Sequence, residues 1–185
     1  MPRMVIRTRN SPQQGFTALE VMVTLSIVSI LLLAGIPGLQ QFTWRQHLKA
    51  AISSLHNDLM VGRSKAVHLN SRVVACPGNP SDGCLGLTDW ADGWIVFVDS
   101  NTDRQRQAGE TLIRHGQGFE NTRIQGSPGR TDIRFLPNGS TPGSNGSITF
   151  CGLQGPEKAK KLVISNLGRI RRDTAPGLDP TLCPL

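Results

Sequence analysis

Tyrosine is absent from this 185-residue sequence, and aromatic residues make up only 5% of it. The sequence also lacks a G-x-S-x-G nucleophile motif, an H-E-x-x-H zinc motif and a glycine-rich phosphate loop. Its four cysteines include no C-x2-C pair of the kind that holds structural zinc. These absences argue against an enzyme, and we expect no catalytic residue and no cofactor.

Acidic charge is missing from the N-terminal region, which has no acid before Glu20 but contains three arginines. A run of 24 residues from Val21 to Trp44 then carries no charge. A helix of that length measures about 36 Å and could cross a bilayer, and the preceding arginines favour a cytoplasmic N-terminus. We therefore expect one membrane-spanning helix, with the rest of the chain outside the cytoplasm.

Glu20 lies next to this apolar run, and no lysine or arginine follows it within two helical turns. A lone carboxylate in lipid is costly and needs a partner. Cleavage between Gly15 and Phe16 would create an α-amino group that supplies this cation, on a neighbouring subunit. The alternative is a plain signal anchor that is not cleaved.

The residues from Gln14 to Val21 resemble the leader junction of type IV pilins and type II secretion pseudopilins. The resemblance implies a leader that prepilin peptidase removes, followed by methylation of the new N-terminus. The positions to which it assigns a role are the cleavage site Gly15, the N-methylated Phe16, the assembly residue Glu20 and the kink residues Gly35 and Pro37. Loss of the leader removes three arginines and no acid, so the net charge falls from +7 to +4.

The sequence divides into four segments and predicts an α+β, pilin-like fold. These are the leader (residues 1–15), the transmembrane and assembly half of a long helix (16–42), its amphipathic half (43–71) and a β-rich globular domain with a basic tail (72–185).

Apolar residues spaced by three to four from Trp44 to Val67 predict a helix stripe packed on a small antiparallel sheet, and Asn70-Ser71 predicts the end of the helix. Strands are expected at residues 72–76, 93–98, 111–115, 122–125, 132–136, 147–151 and 161–165.

Four cysteines outside the cytoplasm predict two disulfide bonds. Three pairings are possible. We favour Cys76–Cys84, which closes a short loop, and Cys151–Cys183, which ties the C-terminal tail to a strand. The sequence leaves the connectivity open.

Two segments in the middle of the chain contain aromatic and acidic residues. The stretch from Asp89 to Asp99 resembles the D-W-x-x-G-W-x-x-F-x-D signature of GspH and FimT proteins, and we expect Trp94 and Phe97 to anchor the core. Oxygen side chains in EF-hand register occur at Asp99, Asn101, Asp103 and Glu110. The place that needs glycine is Arg104, so we favour an acidic turn and keep a calcium site as the weaker alternative.

Positive charge is concentrated between residues 157 and 172, where six basic residues accompany one acid. The basic residues are Lys158, Lys160, Lys161, Arg169, Arg171 and Arg172. Asn166-Leu167-Gly168 predicts a turn in which Gly168 takes a positive φ. On a following strand Arg169 and Arg171 would share a face about 6.5–7 Å apart, close to the phosphate spacing along one DNA strand.

Residues 168–171 resemble the G-R-x-R motif associated with DNA binding in FimT-like minor pilins of naturally competent bacteria. The resemblance implies a member of the FimT, FimU and GspH family, most like FimT, that binds double-stranded DNA nonspecifically for natural transformation. Arg169 and Arg171 would hold phosphates, with the other four basic residues as auxiliaries. A solvated edge that prevents aggregation is the alternative interpretation of these charges.

The same resemblance implies the location and the partners. The chain would lie in the inner membrane as a single-pass protein with a periplasmic domain, and then in a cell-surface pilus. Its partners would be extracellular DNA, other minor and major pilins, prepilin peptidase and, before assembly, the inner membrane. The alternative function is a structural minor pilin, or a GspH-like pseudopilin of a type II secretion system, without DNA binding.

Overall fold

The computed structural model describes residues 15–152, 159–175 and 183, without the helix side chains at 33–41. These residues form one helix and nine strands. The bounds are α1 Ala18–His68, β1 Val73–Asn79, β2 Gly83–Cys84, β3 Gly93–Val98, β4 Leu112–Gln117, β5 Thr122–Gly126, β6 Ile133–Phe135, β7 Gly146–Gly152, β8 Lys160–Ile164 and β9 Ile170–Thr174.

Local hydrogen bonds define both ends of α1. At the N-terminus the hydroxyl of Thr17 accepts a hydrogen bond from the Glu20 N–H at 3.3 Å, as a capping residue does. At the C-terminus Asn70 has a φ of 49°, its N–H donates to Val67 and the N–H of Ser71 donates to Ala66. This pattern is a Schellman motif, and it confirms the predicted end of the helix.

The strands form two antiparallel sheets instead of the single sheet that the sequence predicted. The five-stranded sheet has the order β2-β1-β3-β4, with β6 also paired to β1, and the four-stranded sheet has the order β5-β7-β8-β9. The chain passes from one sheet to the other three times, between β4 and β5, between β5 and β6, and between β6 and β7. The short strand β2 was not predicted, because two residues carry too little pattern to be recognised.

One face of α1 packs against both sheets. Its buried side chains share a cluster with Val96 and Phe135 of the first sheet and with Phe150 of the second. The buried helix residues are Ala51, Ile52, Leu55, Leu59 and Ala66. The predicted stripe was wrong at its two ends, because Trp44 is 42% exposed and Val67 is 53% exposed.

The central aromatic signature builds the core, as expected for Trp94 and Phe97. Both side chains are fully buried, but they point to opposite faces of β3 and join different clusters. The indole N–H of Trp94 donates to the carboxylate of Asp58 on α1 at 2.9 Å, and its ring stacks on Phe119 with centroids 6.1 Å apart. The signature therefore has a structural role.

The two disulfide bonds are those that the sequence favoured. Cys76 is bonded to Cys84 and Cys151 to Cys183, each with a Cα–Cα distance of 5.6 Å. The first connects β1 to β2. The second connects β7 to the C-terminal tail.

The chain divides into two compact units, Met1–Gln41 and Phe42–Leu185. Among the described residues, every buried hydrophobic side chain belongs to the second unit. The unit Phe42–Leu185, here called the globular unit, therefore contains its own core.

Candidate nucleic-acid interface

The predicted basic hairpin is formed by β8 and β9. The N–H of Ser165 donates to the carbonyl of Arg169 at 3.0 Å, and the N–H of Gly168 donates to the carbonyl of Ser165 at 2.8 Å. Gly168 has a φ of 72°, as expected. These bonds define a three-residue loop in which the third residue is left-handed. We call residues 165–169 the basic turn.

Arg169 and Arg171 lie on the outer face of this hairpin. Paired residues of neighbouring strands direct their side chains to the same face. Ile170 pairs with the buried Ile164, whereas Arg171 pairs with Val163 and therefore points the other way. Arg169, just before β9, is two residues from Arg171, and both side chains are exposed. Arg169 thus lies just before the strand and not on it as predicted, and its pairing with Ser165 at the end of the hairpin is what places it on the side of Arg171.

The six basic residues do not form one surface. Lys161 pairs with Asp173 and lies on the same face as Arg171. Lys160 and Arg172 lie on the opposite face, because Lys160 pairs with Thr174 and Arg172 pairs with a buried leucine. Lys158 is outside the described residues. The outer face therefore carries three cations and one acid, Asp173, which lies one residue beyond the predicted basic cluster.

A second turn with the same hydrogen-bond pattern packs against the basic turn. In residues 136–140, here called the twin turn, the N–H of Leu136 donates to Ser140 at 2.9 Å and the N–H of Gly139 donates to Leu136 at 2.7 Å. Gly139 has a φ of 75°. A Cβ atom added at Gly168 would overlap the carbonyl oxygen of Gly139, so the two turns are in backbone contact.

Arg63 of α1 connects both turns to the helix. Its Nε donates to the carbonyl of Gly139 at 2.9 Å, and its terminal nitrogen donates to the carbonyl of Leu167 at 3.2 Å. The buried Thr141 adds two bonds, from its N–H to Asn166 at 2.8 Å and from its hydroxyl to Ser165 at 2.7 Å. All three carbonyl groups from residue 165 to 167 are therefore hydrogen-bonded, which holds the basic turn in one position.

The hairpin arginines are not neutralised by ion pairs within the part of the chain that the structure describes. The two ion pairs there join Arg114 to Asp58 at 3.7 Å and Arg134 to Asp132 at 2.9 Å. Both lie outside the basic turn and β9. The outer face of the hairpin thus presents guanidinium groups to solvent.

The acidic loop uses two of its carboxylates to hold its own backbone and side chains. Glu110 accepts hydrogen bonds from the N–H groups of Ser100 at 2.8 Å and Gln107 at 3.1 Å. Asp103 accepts from the side-chain amides of Asn101 at 2.8 Å and Gln107 at 2.6 Å. Across residues 15–152, 159–175 and 183, no three acidic, histidine or cysteine side chains are grouped to bind a metal ion. The hydrogen bonds of Glu110 and Asp103 are those of an acidic turn.

Replacing Asp99 by asparagine is expected to stabilise the protein at neutral pH. Asp99 is 1% exposed, and burial raises the pKa of its carboxyl group above the ordinary value of 3.8. The folded state therefore favours the protonated form, and stability is lost as the pH rises from 3.8 through the folded-state pKa. Thermal unfolding should give Asp99→Asn a higher Tm than the wild type at neutral pH, and the difference should vanish in acid.

The control is Asp103→Asn in the same loop. A backbone hydrogen bond from Gln105 lowers the pKa of Asp103, so its ionised form stabilises the fold and that stability is lost in acid. Neutralising Asp103 should therefore give no gain in Tm at neutral pH. A gain of equal size in both variants would mean that loop charge, and not burial of Asp99, is responsible.

The N-terminal site residues belong to the first unit. Phe16 is 83% exposed and Glu20 is exposed. Gly35 and Pro37 fall within the bounds of α1, but their side chains are outside the described residues, and the kink stays a prediction. None of the described helical segments combines the length and the apolarity of a membrane span.

Sequence patterns could have revealed the role of Arg63 and the two turns, but not the contact between the turns. Arg63 continues the spacing of four set by Leu55 and Leu59, so it occupies a stripe position that normally faces the protein. The turns ending in Gly139 and Gly168 are each preceded by turn-forming residues. Their mutual contact has no signal in the sequence.

Known proteins resemble the chain over most of its length. The family model described as Type II transport protein GspH matches residues 51–168, and the prokaryotic N-terminal methylation motif matches residues 10–36. The pilin-like protein PilA1 of Thermus thermophilus is 30% identical over 165 residues, covering 86% of this chain and 97% of that protein.

Two crystal structures of the type IV minor pilin FimU from Pseudomonas aeruginosa share the fold. One has a TM-score of 0.57 and 23% identity, covering 71% of this chain and 92% of FimU. The other has a TM-score of 0.54 and 21% identity, covering 68% of this chain and 91% of FimU. The GspH match ends at Gly168, so Arg169 and Arg171 lie just beyond it.

Proposed function

The chain belongs to the family of type IV minor pilins and pseudopilins, and from this premise we propose that it is a FimT-like minor pilin that binds extracellular DNA for natural transformation. The observation that carries the proposal is the exposed pair Arg169 and Arg171 on one face of the hairpin. Residues two apart along an extended strand are about 6.5–7 Å apart, so the two guanidinium groups would suit successive phosphates of one DNA strand.

Binding would be sequence-nonspecific, because phosphates carry no sequence information. Arg169, Arg171 and Lys161 supply about three phosphate contacts, so the logarithm of affinity should fall with the logarithm of salt concentration at a slope of about −3. The hydrogen bonds that fix the basic turn reduce the entropy lost when DNA binds. Weak binding by one subunit would gain avidity from several copies in a fibre.

The N-terminal segment would place this hairpin on a pilus. Prepilin peptidase would remove residues 1–15, Phe16 would be methylated, and Glu20 would pair with the α-amino group of a neighbouring pilin. Before assembly the chain would be a single-pass inner-membrane protein with its globular unit in the periplasm. Its partners would then be other minor and major pilins.

The test is DNA binding by the globular unit and its Arg169→Gln plus Arg171→Gln variant. Loss of two phosphate contacts should change the slope of log affinity against log salt from about −3 to about −1. At low salt the double variant should bind DNA much more weakly than the wild type. Fluorescence anisotropy with a labelled duplex at several salt concentrations measures both quantities.

The matched control is Lys160→Gln plus Arg172→Gln. It removes the same charge from the same hairpin, but from the opposite face. Its salt slope should stay near that of the wild type. Equal losses of affinity and of salt slope in the two double variants would show that net charge, and not the outer face, governs DNA binding.

A structural role without DNA binding is the second candidate, as a minor pilin or as a pseudopilin of a type II secretion system. Two observations favour it. The GspH match excludes the two arginines, and β9 is an edge strand, where basic residues discourage aggregation. Undetectable DNA binding by the wild type at low salt would select this function.

A further inference from the structure

Leu167 is the most exposed large hydrophobic residue of the described part of the globular unit, at 78%. It lies in the loop of the basic turn, one residue before Gly168 and two before Arg169. Such loop positions usually hold glycine, asparagine, aspartate or serine, because these residues satisfy turn geometry and hydration. A leucine here exposes apolar surface beside two cations and therefore needs an explanation.

The twin turn provides an internal comparison. Both turns have the same hydrogen-bond pattern and a left-handed glycine in the third loop place. The residue before that glycine is Asn138 in the twin turn and Leu167 in the basic turn. The side chain of Asn138 accepts hydrogen bonds from the N–H and hydroxyl of Ser140, as a turn residue does. The geometry alone therefore does not require leucine.

The basic turn holds Leu167 away from the core. Its carbonyl is bound by Arg63, the preceding carbonyl by Thr141, and the backbone of Gly168 is pressed against Gly139. Leu167 cannot turn inward without breaking these bonds. A rigid, exposed apolar tip next to exposed arginines suits a ligand that has both phosphates and an apolar interior.

Resting on the proposed function, we propose that Leu167 is an apolar wedge that contacts the base steps of duplex DNA from the minor groove while Arg169 and Arg171 hold the adjacent phosphates. Leucine is among the residues that proteins insert between base steps from that groove. Insertion costs least at pyrimidine–purine steps, because these unstack most easily. The phosphate contacts stay sequence-nonspecific, but the wedge adds a preference for DNA that contains TA steps over stiff A-tracts, although no base is read by hydrogen bonds.

The test uses the globular unit and two duplexes of equal length, one with a central TA step that includes 2-aminopurine and one with an A-tract. Wild-type binding should raise the 2-aminopurine fluorescence, which reports unstacking. Leu167→Asn, which reproduces the chemistry of the twin turn, should abolish this rise and weaken binding to the TA duplex by about threefold to tenfold. Its salt slope and its affinity for the A-tract should not change.

Two further variants keep the result interpretable. Leu167→Met retains a long apolar side chain and should keep the fluorescence rise. Leu87→Asn, at a 52% exposed leucine in another loop, should behave as the wild type. Thermal unfolding of Leu167→Asn should give a Tm equal to or above that of the wild type, because asparagine suits this turn.

The outcomes separate this inference from the proposed function. DNA binding with an unchanged fluorescence rise in Leu167→Asn would overturn the wedge and leave phosphate binding intact. Absence of DNA binding by the wild type would overturn both. Binding of the wild type to vesicles of phosphatidylcholine and phosphatidylglycerol that Leu167→Asn abolishes, without unstacking of DNA, would assign the leucine to a membrane surface instead.

Discussion

Replacing Gly168 by alanine is expected to displace the basic turn and to reduce DNA binding to the level of the double arginine variant. The new Cβ would overlap the carbonyl oxygen of Gly139 and approach Nε of Arg63 at 3.0 Å, at a residue whose φ is 72°. Left-handed strain and overpacking together should lower the free energy of unfolding by about 2–4 kcal/mol. Chemical denaturation and anisotropy of the globular unit measure the two effects.

Gly129→Ala is the control for this variant. Gly129 has a φ of 73°, but a Cβ atom there would meet nothing within 4 Å. Gly129→Ala should introduce only the left-handed strain, which lowers the free energy of unfolding by about 1 kcal/mol, and it should bind DNA as the wild type does. Equal destabilisation of the two variants would mean that contact with the twin turn does not matter.

Replacing Glu20 by alanine is expected to block incorporation into the fibre while leaving cleavage after Gly15 intact. The α-amino group of Phe16 on the neighbouring subunit would lose its partner, and a buried unpaired charge costs about 3–5 kcal/mol, so incorporation should fall by roughly a hundredfold to a few thousandfold. Immunoblots of sheared fibres measure incorporation, and N-terminal mass spectrometry measures cleavage.

Conservative variants separate the charge of Glu20 from its position at the start of α1. Glu20→Gln keeps the size of the side chain and should fail like alanine, whereas Glu20→Asp keeps the charge and should restore part of the incorporation. Normal incorporation of Glu20→Gln would contradict the charge pairing.

The sequence predicted those parts of the fold that depend on local chemistry. Gly168 at positive φ, the helix end at Asn70 and strand β3 each follow from residue types within a few positions. The disulfide bonds were also favoured correctly, because Cys76 and Cys84 are close in sequence and only one partner then remains for Cys151.

The sequence did not predict what depends on contacts between distant segments. A glycine inside a helix normally weakens it, yet a Cβ at Gly62 of α1 would come within 2.8 Å of Val96, so the glycine permits close packing of helix and sheet. Arg63 reaches residues 76 and 104 positions away. Alternation within β9 already places Arg172 opposite Arg171, but only the register of β8 and β9 shows that Lys161, and not Lys160, shares the face of Arg171.

The attachment of the basic turn to Arg63 determines how mechanical tension would travel through the subunit. If the chain binds DNA as proposed, a pull on Arg169 would act on the basic turn, whose carbonyl groups are bound by α1 and by the connection between β6 and β7. The force then enters α1 near its last turns and is carried along the helix that begins beside Glu20. Part of any load on the basic turn would therefore pass to α1 through Arg63, in addition to the part that passes along β9.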